Sequence, residues 1–149
     1  MRWYVASSWK NAEDVREIVD RLRSFGAEAY DFTKHSFDWE EIEPLTDDVK
    51  KELDVLEIHQ WYDHPLVKTH FRIDMAALQS CDALVALFPA GNSTHIEMGI
   101  VKGRGKPIYL ISKGGIDELD RDLLYLCFDN IYGSITEFIR DKYYDKLSY

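Results

Sequence analysis

Short apolar runs alternate along this chain with longer segments in which apolar residues recur at spacings of three and four. Runs of four to six residues, rich in aliphatic and aromatic side chains, lie at residues 3–6, 28–32, 83–88, 107–111 and 127–132. Runs of this length and composition predict buried strands. The segments between them carry the one-sided apolar stripe of helices that pack against a sheet.

Predicted strands and helices therefore alternate, which is the pattern of a parallel α/β sheet with helices on both faces. Helices are expected over residues 12–25, 66–81 and 94–103 and from residue 134 onward, with a helical turn within 117–126. The expected fold is a doubly wound, flavodoxin-like, five-stranded parallel sheet with the strand order 2-1-3-4-5. The length of 149 residues predicts a single domain spanning residues 1–149.

Residues 33–65 interrupt this alternation as an insertion after the second strand. The segment is too long for an ordinary connection in a compact domain. It contains Trp39, Trp61 and Tyr62, and a helix after Pro44 is indicated by the spacing of Leu45, Val49, Leu53 and Leu56. Two interpretations stay open. The insertion is a flap over a ligand site, as long insertions often are, or a partly solvated amphipathic helix with ordinary aromatic anchors.

Charge and composition narrow the function classes. Eighteen Lys and Arg stand against 27 Asp and Glu, a formal net charge of −9, and no basic stripe breaks this balance. Long nucleic acid and anionic membrane surfaces are excluded as partners because both require clustered cations. A single nucleotide stays compatible, since a helix N-terminus and a few backbone amides can hold one phosphate.

The remaining composition is that of an ordinary folded protein. Cys81 and Cys127 are far apart in the sequence and each adjoins an apolar run, so both are expected to be buried thiols. The first residues enter a strand directly, without a signal peptide, and no apolar stretch approaches the ~20 residues that span a bilayer. A cytoplasmic location is expected.

The chemistry is predicted to lie in the segment between the third and fourth strands, residues 91–99. The loop after the carboxyl end of a parallel strand is where ligands bind in open α/β sheets. Gly91, Asn92 and Ser93 offer backbone amides and small polar groups for a sugar or a phosphate. Glu97 follows just inside the expected helix and is the candidate reactive group.

Other loops are expected at the same edge of the sheet. With the order 2-1-3-4-5, the loop after the first strand, with Ser7, Ser8 and Trp9, faces residues 91–97 and 112–115. Asp31, in the last residues of the second strand, is a further candidate substrate contact. Trp9 and the aromatic residues of the insertion are suited to enclose a flat base.

Several types of site are not indicated. The chain contains no GxGxxG fingerprint after the first strand, no Walker A motif, no GxSxG elbow and no HExxH or similar metal signature. Neither a metal nor another cofactor is therefore expected. What remains is carboxylate chemistry, in which one acid attacks a glycosidic carbon and a second assists the leaving group or holds sugar hydroxyls.

Glu97 and Asp74 suit these two roles if both face one cleft. A helix N-terminus would keep Glu97 ionised, as a nucleophile requires. The competing interpretation is specific, because Thr94 and Glu97 fit the S/T-x-x-E capping box, in which the glutamate only bonds back to the helix start. Asp74, beside the apolar stripe of residues 66–81, is alternatively an ordinary acid bordering solvent.

In the order of several motifs, this chain resembles the nucleoside 2-deoxyribosyltransferase-like superfamily. That superfamily includes deoxyribosyltransferases and 2′-deoxynucleoside 5′-monophosphate N-glycosidases. The matching stretches are residues 4–7, Asp74 with Met75-Ala76-Ala77-Leu78, Cys81-Asp82-Ala83-Leu84-Val85-Ala86, residues 91–99, and Gly105-Lys106-Pro107-Ile108. The resemblance implies that Glu97 is the nucleophile and that Asp74 acts near the leaving base and sugar. It also implies that the loop 91–93 holds sugar or phosphate.

The resemblance implies a small-molecule nucleoside or nucleotide as substrate and a homo-oligomer, because family members commonly complete their sites with a neighbouring subunit. The loop differs from both subgroups. The transferases usually place an aspartate where this chain has Asn92-Ser93-Thr94-His95, and the spacing of Ser93 to Glu97 differs from that of the phosphate-binding serine of the hydrolases.

Two other functions stay open. The same layout with a catalytic glutamate resembles Toll/interleukin-receptor-like domains that cleave NAD. A non-catalytic nucleotide-binding or interaction module would use the same fold.

Overall fold

The computed structural model describes residues 1–37 and 46–145. Its five strands are β1 (Arg2–Ala6), β2 (Glu28–Asp31), β3 (Ala83–Phe88), β4 (Ile108–Ser112) and β5 (Asn130–Tyr132). They form one parallel sheet in the order β2-β1-β3-β4-β5. This confirms the predicted doubly wound fold and its strand order.

Within the described residues, six helices connect and cover the strands. They are α1 (Ala12–Ser24), α2 (Asp47–Asp54), α3 (Ile58–Asp63), α4 (Pro65–Ser80), α5 (Asn92–Gly103) and α6 (Ile135–Ile139). Short 3-10 turns lie at Trp9–Asn11, Ile116–Glu118 and Leu123–Cys127, and a π-helical turn, Arg140–Tyr144, follows α6. None of the helices in the described residues is long and apolar enough to cross a bilayer.

The two faces of the sheet carry different helices. Successive strand residues point to opposite faces, so the neighbours Trp3 and Tyr4 face different layers. Trp3 meets Phe138 of α6 edge-on, with ring centroids 5.3 Å apart, and α6 and α1 contact each other on this face. Helices α4 and α5 contact each other and β1, and they cover the face of Tyr4. The strand β3 lies centrally, and all six of its residues are buried.

The insertion contributes α2 and α3 between β2 and α4. The hydroxyl of Thr46 accepts a hydrogen bond from the backbone N–H of Val49 and so caps α2 (3.3 Å), and Leu53 is buried on its inner side. The helix indicated by the spacing of apolar residues is therefore present, beginning at Asp47. The predicted positions Trp39, Pro44 and Leu45 lie outside the described residues.

Two expectations from the sequence are corrected. Helix α5 begins at Asn92 with Gly91 as its N-cap, two residues before the predicted start at residue 94. Cys81 is buried as expected, but the prediction of a buried Cys127 is wrong because Cys127 is exposed. The physical reason is that Leu123–Cys127 forms a 3-10 turn outside the sheet, while β5 begins only at Asn130.

Candidate active site

Two stacked tyrosines form the floor of the candidate site. Tyr4 of β1 and Tyr30 of β2 are paired in register, so their side chains leave the same face of the sheet side by side. Their rings are stacked with centroids 4.9 Å apart and planes inclined by 22°. Both residues are almost completely buried. Each hydroxyl is directed toward one acid, Tyr4 toward Glu97 and Tyr30 toward Asp74.

Glu97 belongs to the second turn of α5 and does not cap this helix. Because α5 begins at Asn92, Thr94 is the third helical residue and is buried, so the capping box predicted from Thr94 and Glu97 does not form. Glu97 is partly buried and borders the cleft between α4 and α5. Its carboxyl group is therefore free to take part in chemistry.

Burial raises the pKa of Glu97 to about 7, and the negative charge of Asp74 adds to this rise. The hydroxyl of Tyr4 acts in the opposite direction and lowers the pKa of Glu97. This hydroxyl is buried and has no partner at ordinary hydrogen-bond geometry among residues 1–37 and 46–145. Its effect on Glu97 is thus that of a nearby polar group. Because the pKa of Glu97 lies at about 7, both protonation states of Glu97 are populated at neutral pH.

Asp74 lies on α4 and is held from the side of the sheet. Its Oδ1 accepts a hydrogen bond of 2.5 Å from the hydroxyl of Tyr30 and lies 3.1 Å from Nδ1 of His35. Burial and the charge of Asp74 raise the pKa of Tyr30, which keeps the phenol protonated and able to donate. The side chain of Asp74 is 34% exposed and borders the same cleft as Glu97.

The cleft has a volume of about 660 Å³ and brings both predicted acids together. Ser93, at the start of α5, borders it as well. The described part of the insertion forms another part of the wall through Leu53, Trp61 and Tyr62, and α4 adds His70 and Phe71. The cleft thus combines two carboxyl groups with several aromatic side chains, a combination suited to a sugar that carries a flat base.

The loop after β1 is placed differently from the prediction. Ser7 is buried, where its Oγ donates to the carbonyl of Leu87 (2.7 Å) and accepts from Nδ2 of Asn11 (3.0 Å). Ser8 accepts a hydrogen bond from the backbone N–H of Lys10 (3.3 Å) and begins a 3-10 turn. The two serines thus hold the loop, and neither belongs to the wall of the 660 Å³ cleft.

Trp9 is also outside this wall. It is 46% exposed, its ring meets Phe32 edge-on at 5.4 Å, and the ammonium group of Lys50 in α2 lies 4.7 Å from the ring centroid. Trp9 therefore touches the insertion without bordering the cleft that contains Asp74 and Glu97.

Asp31 forms the turn after β2 instead of reaching the cleft. Its Oδ1 accepts hydrogen bonds from the backbone N–H and the hydroxyl of Thr33, at 2.8 and 2.6 Å, and the residue is 4% exposed. Gly91 and Asn92 are exposed at the start of α5 and do not border the cleft, in contrast to Ser93. Of the nine residues proposed from the sequence, the structure brings Asp74, Glu97 and Ser93 together.

Four further residues at the site are not among those proposed from the sequence: Tyr4, Tyr30, His35 and His70. The two tyrosines lie in apolar runs, where they are indistinguishable from core residues. The register of β1 and β2 places the two tyrosines side by side, and this register cannot be read from either strand alone. The histidines stack on each other with centroids 4.2 Å apart, although they are 35 positions apart in the sequence.

A second cleft of about 440 Å³ lies at the carboxyl ends of β3 and β4, the edge where the sequence places the ligand. Phe88, His95, Glu118 and Tyr125 border it, and Nε2 of His95 lies 3.0 Å from the hydroxyl of Tyr125. Neither Glu97 nor Asp74 reaches this cleft. In the described part of the chain, no group of three or more His, Cys, Asp or Glu is arranged to hold a metal ion.

The fold is shared with solved enzymes of nucleoside chemistry. A CMP N-glycosidase from Clostridium botulinum, BcmB, is similar over 95% of this chain and 97% of its own, with a TM-score of 0.52 and 17% identity. A 2-deoxyribosyltransferase from the psychrotolerant bacterium Bacillus psychrosaccharolyticus is similar over 99% of this chain and 96% of its own, with a TM-score of 0.63 and 15% identity. No protein-family model and no curated protein matches the sequence. The resemblance predicted from the motifs is thus confirmed at the level of the fold.

Proposed function

We propose that this chain is an enzyme that cleaves or transfers the N-glycosidic bond of a nucleoside or nucleoside monophosphate, with Glu97 as nucleophile. The observation that carries the proposal is the pair of acids in one aromatic-walled cleft, Glu97 from α5 and Asp74 from α4. The names of the two structural neighbours, an N-glycosidase and a deoxyribosyltransferase, support the same reaction class.

The proposed reaction has two steps. In the first, an ionised oxygen of Glu97 attacks the anomeric carbon, the bond to the base nitrogen breaks, and its electron pair leaves with the base. The base takes up a proton, and the sugar stays bound to Glu97 as an ester. In the second step, water or the nitrogen of another base attacks the same carbon and releases the Glu97 carboxylate. Water makes the enzyme a hydrolase, and a base makes it a transferase.

Asp74 has the assisting role in this proposal. Its Oδ1 faces Tyr30 and His35, so Oδ2 is the oxygen that can accept a hydrogen bond from a sugar hydroxyl or from the base. Ser93 suits the sugar or its phosphate, and Trp61 with Tyr62 suits the base.

The assembly and the insertion belong to the proposal too. We infer that residues 33–65 act as a lid over the base, because the described part of this insertion borders the cleft. We also infer a cytoplasmic homo-oligomer in which a neighbouring subunit covers the rim of the cleft. Exposed apolar side chains at this rim support that inference, since Phe71 is 62% and Ile96 64% exposed.

Product analysis on a panel of nucleosides, nucleoside monophosphates and NAD tests the proposal. The wild type is expected to release free base from at least one nucleoside or nucleotide, and Glu97→Gln is expected to lose about 1,000-fold or more in kcat. The matched control is Glu118→Gln, the same substitution at an acid of the 440 Å³ cleft, and it should retain activity.

Three results would contradict the proposal. Turnover that survives in Glu97→Gln excludes this nucleophile. Release of nicotinamide from NAD alone selects an NAD glycohydrolase. A nucleotide that raises the melting temperature without yielding product selects a non-catalytic binding module, since ligand binding to the native state stabilises it whether or not chemistry follows.

A further inference from the structure

His35 has an unfavourable backbone conformation. Its φ is +52°, and in the described residues it is the one non-glycine residue with positive φ. A side chain in this left-handed region is strained by contact with the following carbonyl. The conformation is imposed by the turn after β2, where Asp31 and Ser36 exchange backbone hydrogen bonds of 2.9 and 3.3 Å. Strain that the surrounding structure maintains is concentrated at functional positions.

The imidazole of His35 is buried in an unusual way. The residue is 6% exposed, and Nε2 has no hydrogen-bond partner among the described residues. Nδ1 lies 3.1 Å from Oδ1 of Asp74. Since an ionised carboxylate only accepts hydrogen bonds, a hydrogen bond between these two atoms requires Nδ1 to be the donor. Two features at His35 are therefore unfavourable for folding, the unsatisfied buried nitrogen and the backbone strain. The hydrogen bond to Asp74 is the favourable contact that this placement of the imidazole makes possible.

Two donors converge on one oxygen of Asp74. The hydroxyl of Tyr30 approaches Oδ1 at 2.5 Å and Nδ1 of His35 approaches it at 3.1 Å, with 3.5 Å between the two donors. We call Tyr30, His35 and Asp74 the carboxylate clamp. Two donors at a single oxygen prevent the carboxylate from rotating about its Cβ–Cγ bond, which keeps Oδ2 in a constant direction.

His70 braces the clamp from the side of the cleft. It lies one helical turn before Asp74 on α4, and its ring stacks on His35 at 4.2 Å with 23° between the planes. His70 borders the 660 Å³ cleft, whereas His35 lies behind it and does not. Any effect of His35 on a substrate in this cleft therefore passes through the residues that His35 contacts, which are Asp74, His70 and Tyr30.

From these observations we propose that His35 is a positioning residue, which orients the carboxylate of Asp74 by a hydrogen bond from Nδ1 to Oδ1. The proposal rests on the function proposed above, because it assigns Oδ2 of Asp74 to the substrate. It goes further by making the geometry of the cleft depend on a residue that does not touch the substrate.

Two substitutions separate the hydrogen bond from the strain. Asparagine tolerates positive φ, and its amide nitrogen can take the place of Nδ1, so His35→Asn keeps the donor. Glycine also adopts positive φ without strain, so His35→Gly relaxes the backbone and removes the donor. His35→Gly is expected to lower kcat/KM about 10- to 100-fold, because misplacement of a catalytic group by about 1 Å costs that much. His35→Asn should recover most of the loss.

A kinetic double-mutant cycle with Asp74→Ala identifies the route of the effect. His35→Gly should cause no further loss once Asp74 is alanine, because nothing is left to position. An equal loss in both backgrounds would overturn the proposal and make His35 a merely structural residue. Failure of His35→Asn to exceed His35→Gly in kcat/KM would overturn it as well.

A third arm distinguishes failure of the clamp from failure of the proposed function. If the wild type releases no base from any substrate of the panel, the proposed function is rejected. The hydrogen bond of the clamp is then tested by urea unfolding of the wild type, His35→Gly, Asp74→Ala and the double variant. Non-additive shifts of the unfolding midpoint support the hydrogen bond between His35 and Asp74, and additive shifts overturn it.

Discussion

Replacing Glu97 by glutamine should stabilise this protein, although the same change should abolish turnover. Burial raises the pKa of Glu97 from 4.5 to about 7, which means that the folded state disfavours the ionised form. A difference of about 2.5 in pKa corresponds to roughly 3 kcal/mol at a pH where the carboxyl is ionised in both states. Glutamine has nearly the same shape and no charge, so it avoids this cost.

The sign of the effect defines the pH window. Below about pH 4.5 the carboxyl is protonated in both states and contributes nothing. Between about pH 4.5 and 7 the unfolded chain releases its proton while the folded protein retains it, so the free energy of unfolding falls as the pH rises. Above pH 7 the loss is complete. Glu97→Gln should therefore match the wild type near pH 4.5 and exceed it by roughly 3 kcal/mol near pH 8.5.

Urea unfolding of both proteins at several pH values measures this difference, with Glu118→Gln as an exposed acid that should show no such divergence. If Glu97→Gln is instead less stable than the wild type by the same amount at every pH, the reasoning is refuted. Such a result would mean that the carboxylate of Glu97 makes a stabilising contact, as a capping or paired acid does.

Three further predictions concern the same cleft. The kcat/KM of the wild type should rise with pH through about 7, since only ionised Glu97 can attack; a flat profile from about pH 5.5 to 8.5 would contradict this. Tyr4→Phe should move that rise to higher pH, because the hydroxyl of Tyr4 lowers the pKa of Glu97; an unmoved profile would show that the hydroxyl has no such effect. Trp61→Ala should raise KM about tenfold by removing a stacking surface, whereas Trp9→Ala, outside the cleft wall, should leave KM unchanged; equal effects of both would argue against the proposed base site.

The fold followed from the sequence because its physical causes are local and repeated. A strand buried on both faces must be apolar throughout, as β3 is, and a helix packed on a sheet must have one apolar stripe, as α1 has. Both patterns can be read from single segments. The start of α5 was misplaced by two residues because Gly91 serves as N-cap although it has no side chain to signal this role.

The site was predicted only in part, because a polar residue at a strand end can either contact a substrate or hold its own loop by hydrogen bonds. Ser7 and Asp31 were expected to contact a substrate, but their side chains are occupied by hydrogen bonds to the carbonyl of Leu87 and to Thr33. Such bonds satisfy loops that would otherwise bury unpaired polar groups. Sequence position alone does not tell which use a serine or aspartate has, since the partners come from elsewhere in the fold.

The position of the cleft was also predicted only in part. The loops after parallel strands indicate the edge of the sheet, and a cleft bordered by Phe88 and His95 does lie there. Glu97, however, is in the second turn of α5, and its carboxyl group faces back over Tyr4 toward α4. Glu97 thus lies more than one helical turn, which is about 5.4 Å, beyond the start of α5.

The acid pair is better explained by chemistry than by stability. Glu97 does not cap its helix, it is partly buried, and the negative charge of Asp74 further raises its pKa. Each of these facts makes a carboxyl group at this position less favourable for folding than a neutral side chain. The strained His35 behind Asp74 adds a further unfavourable feature only a few ångströms away. Several local costs that converge on one cleft are expected where a fold maintains a reactive group, because such sites are where local preferences are overruled.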